Sequence, residues 1–368
     1  MVRVSVPSLK DFTETLLREL GTHPDIAPKV AAILVNADTS GHSSHGVRQI
    51  VSKYATEITT GRIDPGSVPT VADEDDAWAT IDGNLAFGQA VGALAVEIGV
   101  EKARNRGVGL VGLKRTSHIG RVGEFAEQAC EAGMGFVAFV SNPGSAYVAP
   151  PGSAQRRFST NPISIGIPTF SALEFPLTAD LSTGQVAHGK IKERAVNDDR
   201  LPEDWVVDSS GESLRDGAAF EREGVGAIRP LGGETAGHKG FALGVLSELL
   251  AASVSDGSVS GMADVLWGNH AAFFVVDVTE FSTRSRIEER ASAMAAYVRE
   301  TDYDPEIGVG TAARGETTLL PGEAEFRSTR RSLERGVSVS PADARDLAAL
   351  ADSLGIDSST VPDSFVDG

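Results

Sequence analysis

The hexapeptide GVGLVG, Gly107 to Gly112, decides how this chain must be folded. It fits the dinucleotide fingerprint G-x-G-x-x-G letter for letter. That pattern cradles a pyrophosphate only where a strand precedes it and a helix follows, because the helix N-terminus receives the phosphates. Here the order is inverted. Residues 87–106 read as a largely buried helix, Gly107 as the glycine that ends it, and VGLVGL as a strand. Strand N–H groups are committed to a ladder, so the hexapeptide is predicted to pack inside a sheet. If a dinucleotide binds, it is held without the Rossmann loop.

Working outward, AWATID before the helix reads as a strand, with Gly83-Asn84 as a turn. LKRTSHIGR is a loop, 122–132 a helix and MGFVAFV a strand. Strand, helix, strand, helix, strand predicts a three-layer α/β core. Further strands are expected at 163–168, 176–180 and 270–278, and helices at 239–254, 284–300 and about 341–354. Upstream, helical spacing of Phe12, Leu16, Leu17 and Leu20 behind a Ser8 cap predicts a first helix. A second begins near Asp25 with Pro28 in its first turn, and a third follows Ser44. The stretch from Arg194 to Gly233 lacks periodicity and reads as a long surface connection. This gives a helical N-terminal part (1–75), an α/β core (76–335) and a C-terminal helix and tail (336–368).

The chain has 368 residues and a net charge of −18, from 51 acidic against 33 basic side chains. Only eight of the basic residues are lysines. Such an acidic surface repels phosphate backbones and argues against nucleic-acid binding. It suits either plain solubility or a salty cytoplasm, and an anionic substrate must find its positive charge locally. No run of 18 apolar residues predicts a membrane span, and no apolar leader is visible at the start. A lone cysteine, Cys130, suits a reducing, cytoplasmic compartment.

Four segments concentrate chemistry. In GHSSHGVRQ, Gly41 to Gln49, a capping Ser44 would put His45 in the first turn of a helix with Arg48 and Gln49 on one face. The helix N-terminus and guanidinium would suit a small anionic substrate, with His45 as proton carrier. The alternative is a capping serine beside a surface histidine. KRTSHIGR, Lys114 to Arg121, surrounds His118 with three cations just past a strand; it is either an anion site or a solvated loop. In TADLSTGQVAHGK, Asp180 ends a strand, and Ser182, Thr183, His188 and Lys190 follow. GGETAGHKG, ahead of a helix expected to begin at Lys239, is a better phosphate cradle than GVGLVG. Neither H-x-x-H nor any cysteine pairing resembles a zinc signature, and no G-x-S-x-G occurs.

GHSSHGV, GVGLVGLKRTSHIG, STNPISIGIP, TADLSTGQVAHGK, LPEDWVVDSSGE, LGGETAGHKGFAL and LLPGEAE, in this order over residues 8–340, resemble the malate/L-lactate dehydrogenase family of non-Rossmann oxidoreductases. The resemblance implies a mixed-sheet α/β sandwich of the L-sulfolactate dehydrogenase type, a homodimer, and hydride transfer between NAD or NADP and a 2-hydroxy or 2-oxo acid. It implies His45 as proton donor beside Ser44, His118 as the competing acid/base, and Arg48, Thr160 and His188 as substrate contacts. Gly120, Asn142, Asp180, Leu181, Ser182, Lys239, Gly322 and Glu323 match cofactor contacts. Two departures stand out. The family's substrate arginine falls at Gln49, with Arg48 one place early and Tyr54 one place late. Lys190 stands where imine-reducing members carry an aspartate, which argues against imine reduction; the alternative to hydroxyacid turnover is reduction of a cyclic imine or a sugar-derived 2-oxo acid.

Overall fold

The computed structural model describes residues 1–265, 267–304, 306–307 and 317–366. A seven-stranded mixed sheet runs in the order β2-β3-β4-β10-β5-β6-β7. The strands are β2 (Thr70–Glu74), β3 (Trp78–Asp82), β4 (Val108–Thr116), β5 (Gly135–Ser141), β6 (Ile163–Ile167), β7 (Leu177–Leu181) and β10 (Asn269–Val276). Every neighbouring pair is antiparallel except β3 and β4. Helices α4 (Gly88–Arg106) and α5 (Gly123–Glu131) cover one face; α8 (Gly233–Ser255) covers β4, β10 and β5 on the other. The result is the three-layer mixed sandwich expected from the sequence.

Val108–Gly112 of the hexapeptide lie inside β4, and its glycines serve packing. Gly107 ends α4 in the left-handed region at φ 81°. A side chain at 109 would collide with the Gly99 carbonyl of α4, and one at 112 with the Val254 carbonyl of α8. Positions 109 and 112 face opposite sides of the strand, so each lets one helix approach. Val111, Leu113, Ala271, Phe273 and Val275 complete the core beneath α4 and α5.

The first helix, α1 (Val6–Glu19), begins earlier than its apolar spacing implies. Ser5, not Ser8, is its cap: the Ser5 hydroxyl accepts the Ser8 N–H, and Pro7 fits the first turn. With α2 (Ala27–Thr39) and α3 (Ala55–Thr59) it forms an apolar cluster that also takes in Val337, Val339, Ala344 and Leu347. The C-terminal α11 (Pro341–Ser353) and α12 (Asp363–Val366) thus pack on the N-terminal helices, tied by pairing of β1 (Val2–Val4) with β11 (Val337–Val339). The aperiodic stretch after Arg194 is no surface connection. With α6 (His188–Val196), it forms a small lobe of α7 (Gly217–Arg222) and the paired β8 (Val206–Val207) and β9 (Ala227–Ile228). Its core joins Val148, Ile191, Leu201, Phe220 and Ile228. Elements of two to nine residues are too short to show a period. The remaining helices are α9 (Arg284–Arg299) and α10 (Glu323–Arg335).

Candidate active site

Beyond α2 the chain makes one turn of 3-10 helix, Ser43–His45, then a π-helical turn, Ile50–Tyr54, that runs into α3. No α-helix starts at Ser44, so the predicted N-terminal anion site is not formed. The Ser44 hydroxyl does not cap either; its Oγ lies 3.0 Å from His45 Nδ1. Asp38 pins the turn instead: its Oδ2 accepts the Val47 N–H at 2.8 Å. A side chain at Gly46 would occupy the space of that carboxylate, so the glycine after His45 is required by close approach. Burial pushes the Asp38 carboxyl up to about 7.

Arg48 and Gln49 do not share a face. An α-helical spacing fails where the backbone is 3-10 and then π. Arg48 turns to the back of the turn, its Nε 3.5 Å from Asp343 Oδ1, in a separate cavity with Ser43 and Arg345. Gln49 lines the site, and its amide donates to the Ser44 carbonyl. The π turn also accounts for Tyr54, one residue late in the sequence. One extra residue is absorbed as a local widening, and the phenol Oη lies 3.0 Å from His118 Nδ1.

His118 follows the end of β4. Gln89, fully buried on α4, donates from Nε2 to the Tyr54 Oη at 2.6 Å. The phenol hydrogen therefore points at His118 Nδ1, which places the imidazole proton on Nε2. The His45 and His118 rings stack with centroids 5.5 Å apart and planes 24° apart. Burial, with neighbouring cations, pushes His45 down to about 4 and His118 well below its ordinary value. Both imidazoles are neutral at pH 7. The cations flanking His118 in sequence are spent in ion pairs: Lys114 with Asp256 (3.0 Å), Arg115 with Asp82 (2.9 Å) and Arg121 with Glu127 (2.5 Å).

These groups open on a cleft of about 330 Å³. The structure brings Ser44, His45, His118, Gly120, Asn142, Thr160 and His188 to its walls. His188 stacks on Tyr147 at 4.0 Å and bonds Glu221 from Nε2 at 2.7 Å. Other expected contacts lie outside the lining. Asp180 Oδ2 accepts the Gly123 N–H that opens α5, at 2.8 Å. Leu181 is exposed on the open sheet face, and Ser182 Oγ accepts the Gly184 N–H at 3.0 Å. Gly322 and Glu323 begin α10, where Glu323 accepts from Leu320 N–H, Arg299 and Arg327. Lys239 is exposed in the second turn of α8, which begins six residues earlier than its lysine suggested. The phosphate cradle expected there is filled by the chain itself. Asp204 Oδ1 accepts the Glu234 N–H at 3.0 Å, and the Gln185 side chain accepts the Gly232 N–H at 3.0 Å.

Residues 4–348 match the malate/L-lactate dehydrogenase family. The chain belongs to it. This dehydrogenase is 29% identical to a malate dehydrogenase of Pyrococcus abyssi over 96% of both chains. It is 30% identical to an L-lactate dehydrogenase of Cupriavidus necator, over 96% of this chain and 99% of that one. The sulfolactate dehydrogenase of Methanocaldococcus jannaschii superposes with a TM-score of 0.79 at 25% identity, covering 97% of this dehydrogenase and 98% of that chain. The family uses pyridine nucleotides and acts on small acids.

The cleft of this dehydrogenase fits a nicotinamide in one respect that can be checked. Asn142 Oδ1 and Trp267 Nε1, both in the lining, are buried with no hydrogen-bond partner among the described residues. An acceptor and a donor held dry and unpaired are what a bound amide satisfies. Sequence reasoning missed Lys53, Glu57, Gln89, Tyr147, Lys192 and Trp267. For Lys53 and Glu57 a signal existed: with His45 and Gln49 they recur every fourth residue. Gln89 left none, because its role depends on α4 crossing the π turn.

Proposed function

We propose that the chain is an NAD(P)-dependent dehydrogenase interconverting a 2-hydroxy acid and its 2-oxo acid, with malate and oxaloacetate as the first pair to test. The observation carrying this reading is the stacked pair of neutral imidazoles in one cleft. A nicotinamide, when bound, takes or supplies the hydride. The chain's own work is proton transfer and positioning. Ser44 engages His45 Nδ1, leaving Nε2 to accept the hydroxyl proton in oxidation or return it in reduction. His118, tied to Tyr54 and Gln89, presents its Nε2–H as a fixed donor to the developing oxyanion. Thr160 and His188 bound the substrate, and Gly120 and Asn142 meet the cofactor. The depressed pKa of His45 suits a base in the free protein, and an anionic substrate beside it restores proton affinity for reduction.

NADH and NADPH oxidation followed at 340 nm with oxaloacetate, pyruvate, sulfopyruvate and a cyclic imine tests the reaction class. His45→Ala should lose at least 100-fold in kcat while NAD(P)H binding, read by fluorescence, stays within about twofold. Near wild-type kcat in that variant would transfer the proton role to His118. The protein is further proposed to work in the cytoplasm as a homodimer, a state supported by the apolar outer surface of α8 and the open sheet beside it.

A further inference from the structure

His45, Gln49, Lys53 and Glu57 stand at every fourth position and all line the cleft. In an uninterrupted α-helix four residues overshoot a 3.6-residue turn, so such a stripe rotates away from its target. The π turn at Ile50–Tyr54 takes up the excess and keeps the stripe facing the site. Along it, the Gln49 amide is committed to the Ser44 carbonyl, and the neighbouring guanidinium, Arg48, is paired behind the turn. The ammonium groups in the lining are Lys53 and Lys192. Lys192 is exposed on α6. Lys53 lies deeper, its side chain 31% exposed, in direct line with His45.

Its Nζ forms an ion pair with Glu57 at 3.9 Å from Oε1, too long for a hydrogen bond, and it donates to no acceptor among the described residues. Glu57 Oε2 is likewise buried without a partner. A half-buried ammonium whose loose ion pair leaves its three donors unused, four residues from Gln49 and eight from His45, is free to bond a substrate carboxylate. We propose that Lys53 is the carboxylate anchor of this cleft, doing for the substrate what an arginine at position 49 would do. The inference rests on the 2-hydroxyacid dehydrogenase reading and deepens it. A lysine offers a point charge without the guanidinium fork, so carboxylate orientation falls to the surrounding walls.

The test uses the full chain with Lys53→Met, and Lys53→Gln as a second variant that keeps length and polarity without charge. Lys10→Ala, exposed on α1 and outside the cleft lining, serves as the comparison. KM for the best 2-oxo acid should rise about 10- to 100-fold in both Lys53 variants, as expected for loss of a charge-assisted hydrogen bond. Oxamate, an unreactive pyruvate isostere, titrated against the NADH-bound protein should lose affinity in parallel. NADH affinity should stay within twofold, and Lys10→Ala should leave KM within twofold. An active wild type whose Lys53 variants keep KM and oxamate affinity within twofold overturns the anchor. So does a loss of NADH affinity as large as that of oxamate, which would place Lys53 against the cofactor. A wild type inactive with every 2-oxo acid defeats instead the dehydrogenase reading on which the anchor stands.

Discussion

Tyr54 shows how one side chain sets the protonation pattern of the site. Buried between Gln89 and His118, it accepts from one and donates to the other, and so fixes which imidazole nitrogen carries the proton. Tyr54→Phe should lower kcat about tenfold with little change in KM, because the ring loses its orienting bond but the anion site is untouched. Steady-state kinetics check this; an equal rise in KM would mean the phenol acts on substrate binding. The His45 shift gives a pH prediction. Since kcat/KM reports groups of the free enzyme, its oxidation profile should stay flat from pH 8 to about 5 and fall as pH approaches 4, where the base becomes protonated. A midpoint near 6.5 would mean the histidine keeps its ordinary proton affinity.

At the scale of elements, the catalytic turn is short and has few backbone bonds of its own, so Asp38 of α2 does the holding. Its carboxyl is pushed up to about 7 by burial. A folded-state pKa above the unfolded value contributes stability at low pH that is lost as pH rises from about 4 through 7. Asp38→Asn keeps the acceptor for Val47 N–H and removes the buried charge. Relative to wild type, its Tm should therefore rise by a few degrees at pH 8 and by little at pH 4. Differential scanning fluorimetry across that range decides it; a parallel shift at both pH values would show that the charge is not what matters. The same scale explains why the third helix was misread. Apolar positions Val47, Ile50 and Tyr54 are buried as periodicity demands, but period alone does not separate α-helix from a 3-10 turn followed by a π turn.

Across the whole molecule, apolar surface is unevenly distributed. On α8, Leu243, Leu246 and Leu249 are 42%, 62% and 49% exposed, beside exposed Ile165, Ile167 and Leu181 of the same sheet face. In a chain of net charge −18, this patch is the surface proposed for the homodimer contact. If it is the homodimer contact, Leu246→Glu should convert dimer to monomer by light scattering while leaving the protomer folded, because the side chain lies outside the protomer core. An unchanged mass would move the contact elsewhere.

The sequence by itself determined the layers. Glycine spacing in GVGLVG, the buried periodicity of 87–106 and alternation in the later strands rest on local chain geometry, which operates within a few residues. It also marked both histidine segments, because S-H-G and S-H-I-G are compact motifs. Tertiary structure alone decided that β10 enters between β4 and β5, that α11 joins the N-terminal helices, and that Asp204 fills the expected phosphate cradle. It also turned Arg48 away and brought Lys53 inward. Those outcomes depend on which distant groups meet and on which donors they leave facing the cleft, and side-chain pairing over long sequence separation leaves no periodic trace in a single chain.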